Sequence, residues 1–217
     1  MICTTRVKLC LLAAISLPTL AWAGDVPIIA PTPNWVKPSG PLLPETLTKE
    51  GFLLMDRQMR SEGDQITTYV DYAYRAASPE QLQAIGAVML LWHPSKGDVS
   101  VHKLEIIRDG LVIPMPLTAK EFVVLRREQA LEQQALNGIL TASYQVPGLK
   151  TGDTVRFVFS VSFRDPALGG NISWTAPHFI EPFKIERANV RISLPDGGTH
   201  KWQSLVANAK SVTTTRP

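Results

Sequence analysis

The sequence predicts an all-β protein with an antiparallel β-sandwich. Three observations favour this class: about nine short β-type runs, turn signals between them, and few segments with helical periodicity. The clearest run is TGDTVRFVFSV at residues 151–161. Its apolar members occupy alternate positions, which places them on one face of a strand. We therefore predict that Phe157 and Phe159 are core residues and that Arg156, of opposite parity, is solvated.

The first 23 residues have the pattern of a secretory signal peptide. Arg6 and Lys8 precede an apolar stretch that reaches about Leu20, and 21–23 read Ala-Trp-Ala, a cleavage pattern. We predict cleavage after Ala23 and a mature chain in the periplasm of a Gram-negative-type cell. The apolar stretch is short for a transmembrane helix, so no stable membrane span is expected after cleavage; a retained anchor is the alternative.

Composition excludes several function classes for the mature chain. Both cysteines, Cys3 and Cys10, lie in the leader, which excludes disulfides, thiolate metal sites and cysteine nucleophiles. Without the leader, 194 of 217 residues remain, and the 22 basic residues fall to 20 against 19 acidic ones. Since no basic run exceeds Arg126-Arg127, a nucleic-acid partner is not expected.

We predict four segments: the signal peptide 1–23, a proline-rich arm 24–50, a sandwich domain 51–208 and a frayed tail 209–217. Six prolines between residues 24 and 49 forbid a regular helix or a central strand. The apolar arm residues can lie over the body of the domain; a disordered linker is the alternative. These arm residues are Trp35, Leu42 and Leu43.

Strands are predicted along the domain in chain order. The predicted runs are 51–59, 66–76, 86–93, 98–108 with a bulge near Lys103, 111–117, 139–146, 151–163, 183–195 and 201–207. Ser78 and Pro79 favour one helical turn over 78–85, and Asp109-Gly110 favours a tight hairpin.

Two further segments carry structural predictions. Residues 118–136 are the best helix candidate, although FVVLR within them is β-like. In 183–195, one face is expected to carry Ala188, Val190, Ile192 and Leu194. Residues 164–174 read as a glycine-rich loop and 196–198 as a turn.

Motifs for chemistry are scarce, and we predict no catalytic residue, no cofactor and no metal site. Neither a phosphate-binding glycine loop nor a G-x-S-x-G elbow occurs. His93 and His102, with Asp98 between them, form a metal-like set, but solvated histidines are the commoner outcome. Asp153 is interpreted as a turn residue whose carboxylate bonds nearby backbone amides.

Three other groups have both a plain and a functional interpretation. Arg126, Arg127 and Glu128 look like a solvated helix face, with a ligand role as the alternative. The triplet Asn171-Ile172-Ser173 matches a glycosylation acceptor, a pattern frequent by chance. A set of aromatic residues could line a sugar platform, although rings on strands are more often core or cross-strand pairs. These are Tyr69, Tyr72, Tyr74, Trp92 and Trp174.

An ordered set of short motifs resembles a known bacterial family. The set comprises NWVKP, LLMDRQMR, YVDYAYRA, VHKLEIIRDG, the stretch from NGILTASYQ to GDTVRF, and RISLPDG. Over about residues 34–195 it resembles "domain of unknown function 3857", which precedes transglutaminase-like domains in exported proteins. The resemblance implies an immunoglobulin-like sandwich, with catalysis in a following domain that has a cysteine, a histidine and an aspartate.

The resemblance carries no catalytic residue onto this chain, because its mature part has no cysteine. We therefore expect a non-enzymatic accessory or binding module that contacts a transglutaminase-like domain or an envelope protein. Two alternatives stay open. The chain could be the N-terminal part of an exported transglutaminase-like cysteine protease or hydrolase, or it could bind carbohydrate.

Overall fold

A computed structural model describes residues 24–126, 138–175 and 184–194. In these ranges the chain forms ten strands and one α-helix. The strands are β1 (Ile28–Ile29), β2 (Gly51–Glu62), β3 (Gln65–Arg75), β4 (Ala87–Trp92), β5 (Val99–Arg108), β6 (Leu111–Pro114), β7 (Val123–Arg126), β8 (Leu140–Gln145), β9 (Thr154–Arg164) and β10 (Ala188–Ser193); the helix is α1 (Pro79–Ile85).

The strands form two sheets, which confirms the all-β prediction. The large sheet has the order β1-β5-β9-β3-β2-β10, and β6 also pairs with β5. The small sheet has the order β4-β8-β7. Most strand pairs are antiparallel, as predicted, whereas β1 with β5 and β10 with β2 are parallel.

The main core lies where alternate residues of both sheets meet. Phe157 at the centre of β9 is fully buried, and Leu90 and Trp92 of β4 belong to the same apolar cluster. Phe157 is thus a core residue, as predicted. Phe159 is only partly buried, but it packs against the same cluster and lies on the predicted face.

The opposite face of the large sheet is covered by the proline-rich arm. Val36 packs with Tyr69 of β3 and Val158 of β9, and Trp35 lies against this cluster. A second small cluster on this sheet consists of Leu53, Leu54 and Ala73, and the arm residues Leu42 and Leu47 pack against it. Leu43, the residue after Leu42, is 52% exposed. The arm therefore gives the large sheet two buried faces.

The prediction that Arg156 is solvated is wrong. Its exposed fraction is 7%, and its guanidinium binds the Asp71 carboxylate on β3. The alternation of β9 was interpreted correctly, because Arg156 does lie opposite the sandwich core. The error arose because parity separates two faces but does not reveal that a distant segment covers the second one.

Several local predictions are confirmed. Ser78 caps α1, since its Oγ accepts a hydrogen bond from Gln81 N at 3.3 Å. The pairing of β5 with β9 shifts register between Val101 and Lys103, which is the predicted bulge. Asp109 and Gly110 adopt φ values of 51° and 80°, as a two-residue hairpin turn with two left-handed positions requires.

Other local predictions need correction. Residues 119–121 form a 3₁₀ turn and Val123–Arg126 form β7, so the helix predicted over 118–136 is wrong there and the β-like interpretation of FVVLR is correct. β6 ends at Pro114, earlier than predicted. Strand β10 is shorter than 183–195, and Val190 and Ile192 on its apolar parity are 41% and 47% exposed. Residues 1–23, 127–137, 196–198, 201–207 and 209–217 lie outside the described residues.

Candidate functional site

The two histidines of the metal-like set have separate partners. His102 donates from Nδ1 to the Ala30 carbonyl (3.0 Å), because a carbonyl can only accept, and its Nε2 lies 2.9 Å from Ser160 Oγ. His93 Nδ1 lies 3.0 Å from Ser95 Oγ. Among the described residues no three histidine, cysteine or carboxylate side chains gather as a metal site would require.

The His102 ring is partly buried beneath the arm. Burial lowers its pKa, against the opposing effect of hydrogen bonds to the backbone of Ala30 and Pro31. The ring also stacks on Tyr69 with centroids 6.0 Å apart. Through these contacts His102, a residue of β5, links the arm to β9.

The five aromatic residues of the possible sugar platform do not share a surface. Tyr69 is buried under the arm, and Trp92 is buried between the sheets. Tyr72 packs edge-on against Phe157, and burial raises its pKa to about 12. Tyr74 packs against Phe52, and Trp174 donates to Thr68 Oγ1. The structure thus assigns four of these rings to packing or to the arm and leaves no platform.

The remaining sequence candidates are divided between surface and turn. Asn171 is exposed, and its Nδ2 donates to the Leu168 carbonyl. Arg126 is exposed at the end of β7, whereas Arg127 and Glu128 lie outside the described residues. Asp153 accepts from Lys150 N at 2.7 Å, as predicted for a turn aspartate, and also receives two hydrogen bonds from Arg108.

A buried polar network under the arm is a feature that sequence reasoning missed. The Gln58 side chain accepts a hydrogen bond from Lys37 N (2.9 Å) and donates one to Lys37 O (2.6 Å). The amide group of Gln58 thus bonds both backbone groups of Lys37, as a residue of a neighbouring β-strand would. It also donates to Asp56, which accepts from Ser39 and Asn189 as well. Polar residues recurring at alternate positions of β2 were the available signal.

A cleft of about 410 Å³ opens between the second half of the arm and the β5–β6 hairpin. Its lining includes the apolar side chains of Pro41, Leu42 and Val112 together with Arg156. The Lys103 ammonium is 3.2 Å from Glu105 and Arg156 binds Asp71, so the charges lining the cleft are paired with one another or with the sheet.

Ser100 and Lys103 have the three-residue spacing of a serine–lysine nucleophile pair, so the expectation that no such pair occurs in the sequence is wrong. They lie on strand β5, not on the helix that would normally bring such residues together. The Lys103 ammonium is paired with Glu105. The spacing therefore carries no catalytic assignment.

The outer face of the small sheet presents an apolar groove. Cross-strand register aligns Met89 and Val123 on either side of Ser143. One step along, Leu91 and Leu125 flank Thr141 in the same way. The four large side chains are 47–61% exposed, and the two residues between them are small. Since paired strands lie about 4.8 Å apart, the two apolar rows stand about 10 Å apart with a shallow floor between them.

Comparison with known families matches residues 64–216 to the domain of unknown function 3857, described as a domain with a solved structure. The match spans well over half of the chain and includes strands β3 to β10. The chain belongs to this family. The matched residues include the small sheet and most of the large sheet, but they begin after β2 and so leave out β1, β2 and the arm.

Among solved structures, this domain of unknown function 3857 chain is similar to a crystal structure described as a candidate protease from Parabacteroides distasonis ATCC 8503. The two share 14% identity with a TM-score of 0.46, over 52% of this chain and 23% of the other. The chain thus aligns with less than a quarter of that protein's length. Comparison with curated proteins found no match. No helix in the described ranges is long and apolar enough to cross a membrane.

Proposed function

We propose that this chain is a non-enzymatic, exported binding module whose contact surface is the groove on the outer face of the small sheet. The observation that carries the proposal is the exposure of Met89, Leu91, Val123 and Leu125 on one face. Contiguous apolar side chains on a protein surface typically mark contact sites. No part of the chain that the structure describes covers them.

The chemistry of the groove favours a protein partner. Its flanks are aliphatic and its floor carries only the hydroxyls of Thr141 and Ser143. Such a surface can accept the apolar side chains of a helix or loop, which bury area without needing charge complementarity. It offers few of the polar groups with which a sugar or a nucleotide would be oriented.

The partner we propose is a transglutaminase-like domain, encoded in the same or an adjacent reading frame, with an envelope protein as the second candidate. Support comes from the family resemblance together with the missing thiol in the mature chain. Any hydrolytic activity would then belong to the partner. We further propose a periplasmic location, because residues 1–23 have the pattern of a signal peptide.

The test is a binding titration between the mature chain and that transglutaminase-like domain. Leu91→Lys combined with Val123→Lys should weaken binding at least about tenfold, because charges would replace the apolar flanks at the contact. Leu111→Lys is the matched control, since Leu111 is 71% exposed but lies on the β5–β6 hairpin of the other sheet. Unchanged affinity in the double variant, or equal weakening in the control, would contradict the proposal.

A further inference from the structure

Gly24 is held at both its backbone nitrogen and its carbonyl. Its nitrogen donates to Asp98 Oδ1 at 2.7 Å, and its carbonyl accepts from Trp92 Nε1 at 3.2 Å. Trp92 is the buried last residue of β4 in the small sheet, while Asp98 directly precedes β5 in the large sheet. Gly24 therefore connects the two sheets at one end of the sandwich.

The Asp98 carboxylate is a fixed target for that nitrogen. Ser162 N donates to the Asp98 carbonyl and Ser162 Oγ accepts from Asp98 N, both at 2.9 Å. The neighbouring Gly97 approaches β9 so closely that a Cβ there would lie 2.0 Å from the Ser162 carbonyl oxygen. These contacts fix the backbone of Asp98 on β9 independently of the arm.

We propose that hydrolysis of the Ala23–Gly24 bond turns the Gly24 nitrogen into an ammonium that forms an ion pair with Asp98, and that this pair fixes β1 at the edge of the large sheet. The inference rests on the proposed export, because it requires a leader peptidase. Water adds across the amide: Ala23 leaves as a carboxylate, and Gly24 keeps the nitrogen as –NH₃⁺. A neutral donor to Asp98 becomes a charged one.

The change matters because β1 is short and its other attachments are a few hydrogen bonds, including the one that His102 donates to the Ala30 carbonyl. This strand has two residues, Ile28 and Ile29, and both are exposed. It pairs in parallel with Ser100 and Val101, and Ala30 N donates to Val101 O at 3.0 Å. A hydrogen bond between charged groups is roughly twice as strong as one between neutral groups. The pair should therefore reduce fraying of the first residues.

The other charged groups on the segments next to Asp98 have partners of their own or are exposed. Lys96 binds Asp165 at 2.8 Å, and Arg164 binds Asp64 at 2.8 Å. His93 contacts Ser95. Asp25, next to Gly24, is exposed. The Gly24 ammonium is thus the cation that we assign to Asp98.

The experiment compares a chain that begins at Gly24 with the same chain acetylated at its amino terminus, each with Asp98 or with Asp98→Asn. Acetylation keeps an N–H donor but removes the positive charge, and the asparagine keeps one acceptor oxygen but removes the negative charge. The measurements are urea unfolding at pH 7 and hydrogen exchange of the Ala30 amide. N-terminal sequencing of the exported protein reports the cleavage site separately.

Acetylation of the Asp98 chain should lower the folding equilibrium constant about three- to tenfold and speed Ala30 exchange, as loss of a half-buried charged hydrogen bond predicts. In the Asp98→Asn chain acetylation should change neither quantity. The effect should also shrink between pH 7 and pH 10, because the contribution of the ion pair is lost once the amine deprotonates. Equal effects of acetylation with and without the Asp98 carboxylate, or none in either, would overturn the ion pair, whatever the cleavage site or partner.

Discussion

Arg156 illustrates how a charged residue is kept inside a β-sheet protein. Its Nε and one terminal nitrogen contact the two oxygens of Asp71 at 2.9 and 2.7 Å, the parallel geometry that a guanidinium and a carboxylate prefer. Burial is the largest single effect and disfavours the charged form, but the hydrogen bonds that Arg156 donates to Asp71 and the negative charges of Asp71 and Glu105 together outweigh it and raise the pKa of Arg156. The Arg156 guanidinium therefore stays charged beneath the arm.

Removal of one partner should therefore be costly. Arg156→Ala leaves the Asp71 carboxylate buried without its counter-ion, and breaking a buried pair in this way costs about 3–5 kcal/mol. Urea unfolding measures the loss. The matched control is Arg164→Ala on the same strand, whose pair with Asp64 is largely exposed and should cost less than about 1 kcal/mol. Similar losses in the two variants would show that Asp71 is hydrated in the folded protein.

At the scale of elements, the 147–153 turn is clamped to the end of β5. Arg108, the last residue of β5, donates from Nε and a terminal nitrogen to the two oxygens of Asp153 at 2.8 and 2.7 Å. Its guanidinium also donates to the Gly148 carbonyl. Hydrogen bonds from Arg108 lower the pKa of Asp153, with smaller help from Lys150 and against burial. The turn that leads into β9 is thereby fixed beside the β5–β6 hairpin.

This clamp predicts a pH dependence of stability. Since the folded pKa of Asp153 is depressed, its contribution is present above the unfolded value of about 3.9 and is lost as pH falls through the folded pKa. The difference in unfolding free energy between wild type and Asp153→Asn should be constant near neutral pH and should narrow in acid. Urea midpoints between pH 7 and pH 2.5 measure it.

Arg108→Gln serves as the control for the clamp. If Arg108 is the main cause of the lowered pKa, Asp153→Asn made in the Arg108→Gln background should show a much flatter acid dependence. If the difference in unfolding free energy narrows in acid by the same amount in both backgrounds, the lowered pKa of Asp153 is caused by the turn amides and not by Arg108.

At the scale of the whole molecule, the arm is a layer of the protein and not a tether. Its backbone crosses from β5, where Ala30 bonds Val101, to β2, where Lys37 pairs with the Gln58 side chain. Without the arm, buried Tyr69 and Val158 and the polar side chains of Asp56 and Gln58 would face water. In the described residues the large sheet is therefore the middle of three layers, with the small sheet on one side and the arm on the other.

Removal of residues 24–49 should for this reason abolish a cooperative urea transition or lower its midpoint strongly. A point-mutation pair keeps the prediction quantitative. Val36→Ala removes a side chain from a buried site and should cost about 1–2 kcal/mol, since each buried methylene contributes roughly 0.8 kcal/mol. Leu43→Ala, at a 52% exposed arm position, should cost less than about 0.5 kcal/mol. A truncated chain with the wild-type midpoint would show that the arm contributes nothing.

Local chemistry was enough to predict much of this fold. Alternation, β-branched runs and turn residues predicted most strands, the Ser78 cap, the Lys103 bulge and the Asp109-Gly110 hairpin, because each depends on neighbours within a few residues. The all-β class and the core position of Phe157 followed from the same periodicity.

Tertiary structure alone decided which faces are buried and which side chains meet. Arg156 was predicted to be solvated because its parity is polar, yet a segment more than a hundred residues away covers that face and Asp71 pairs with the charge. The parallel pairings of β1 and β10, the apolar groove on the small sheet, and the contact between Gly24 and Asp98 also join residues far apart in sequence. Such contacts depend on how the chain packs globally, and no local pattern of side chains encodes them.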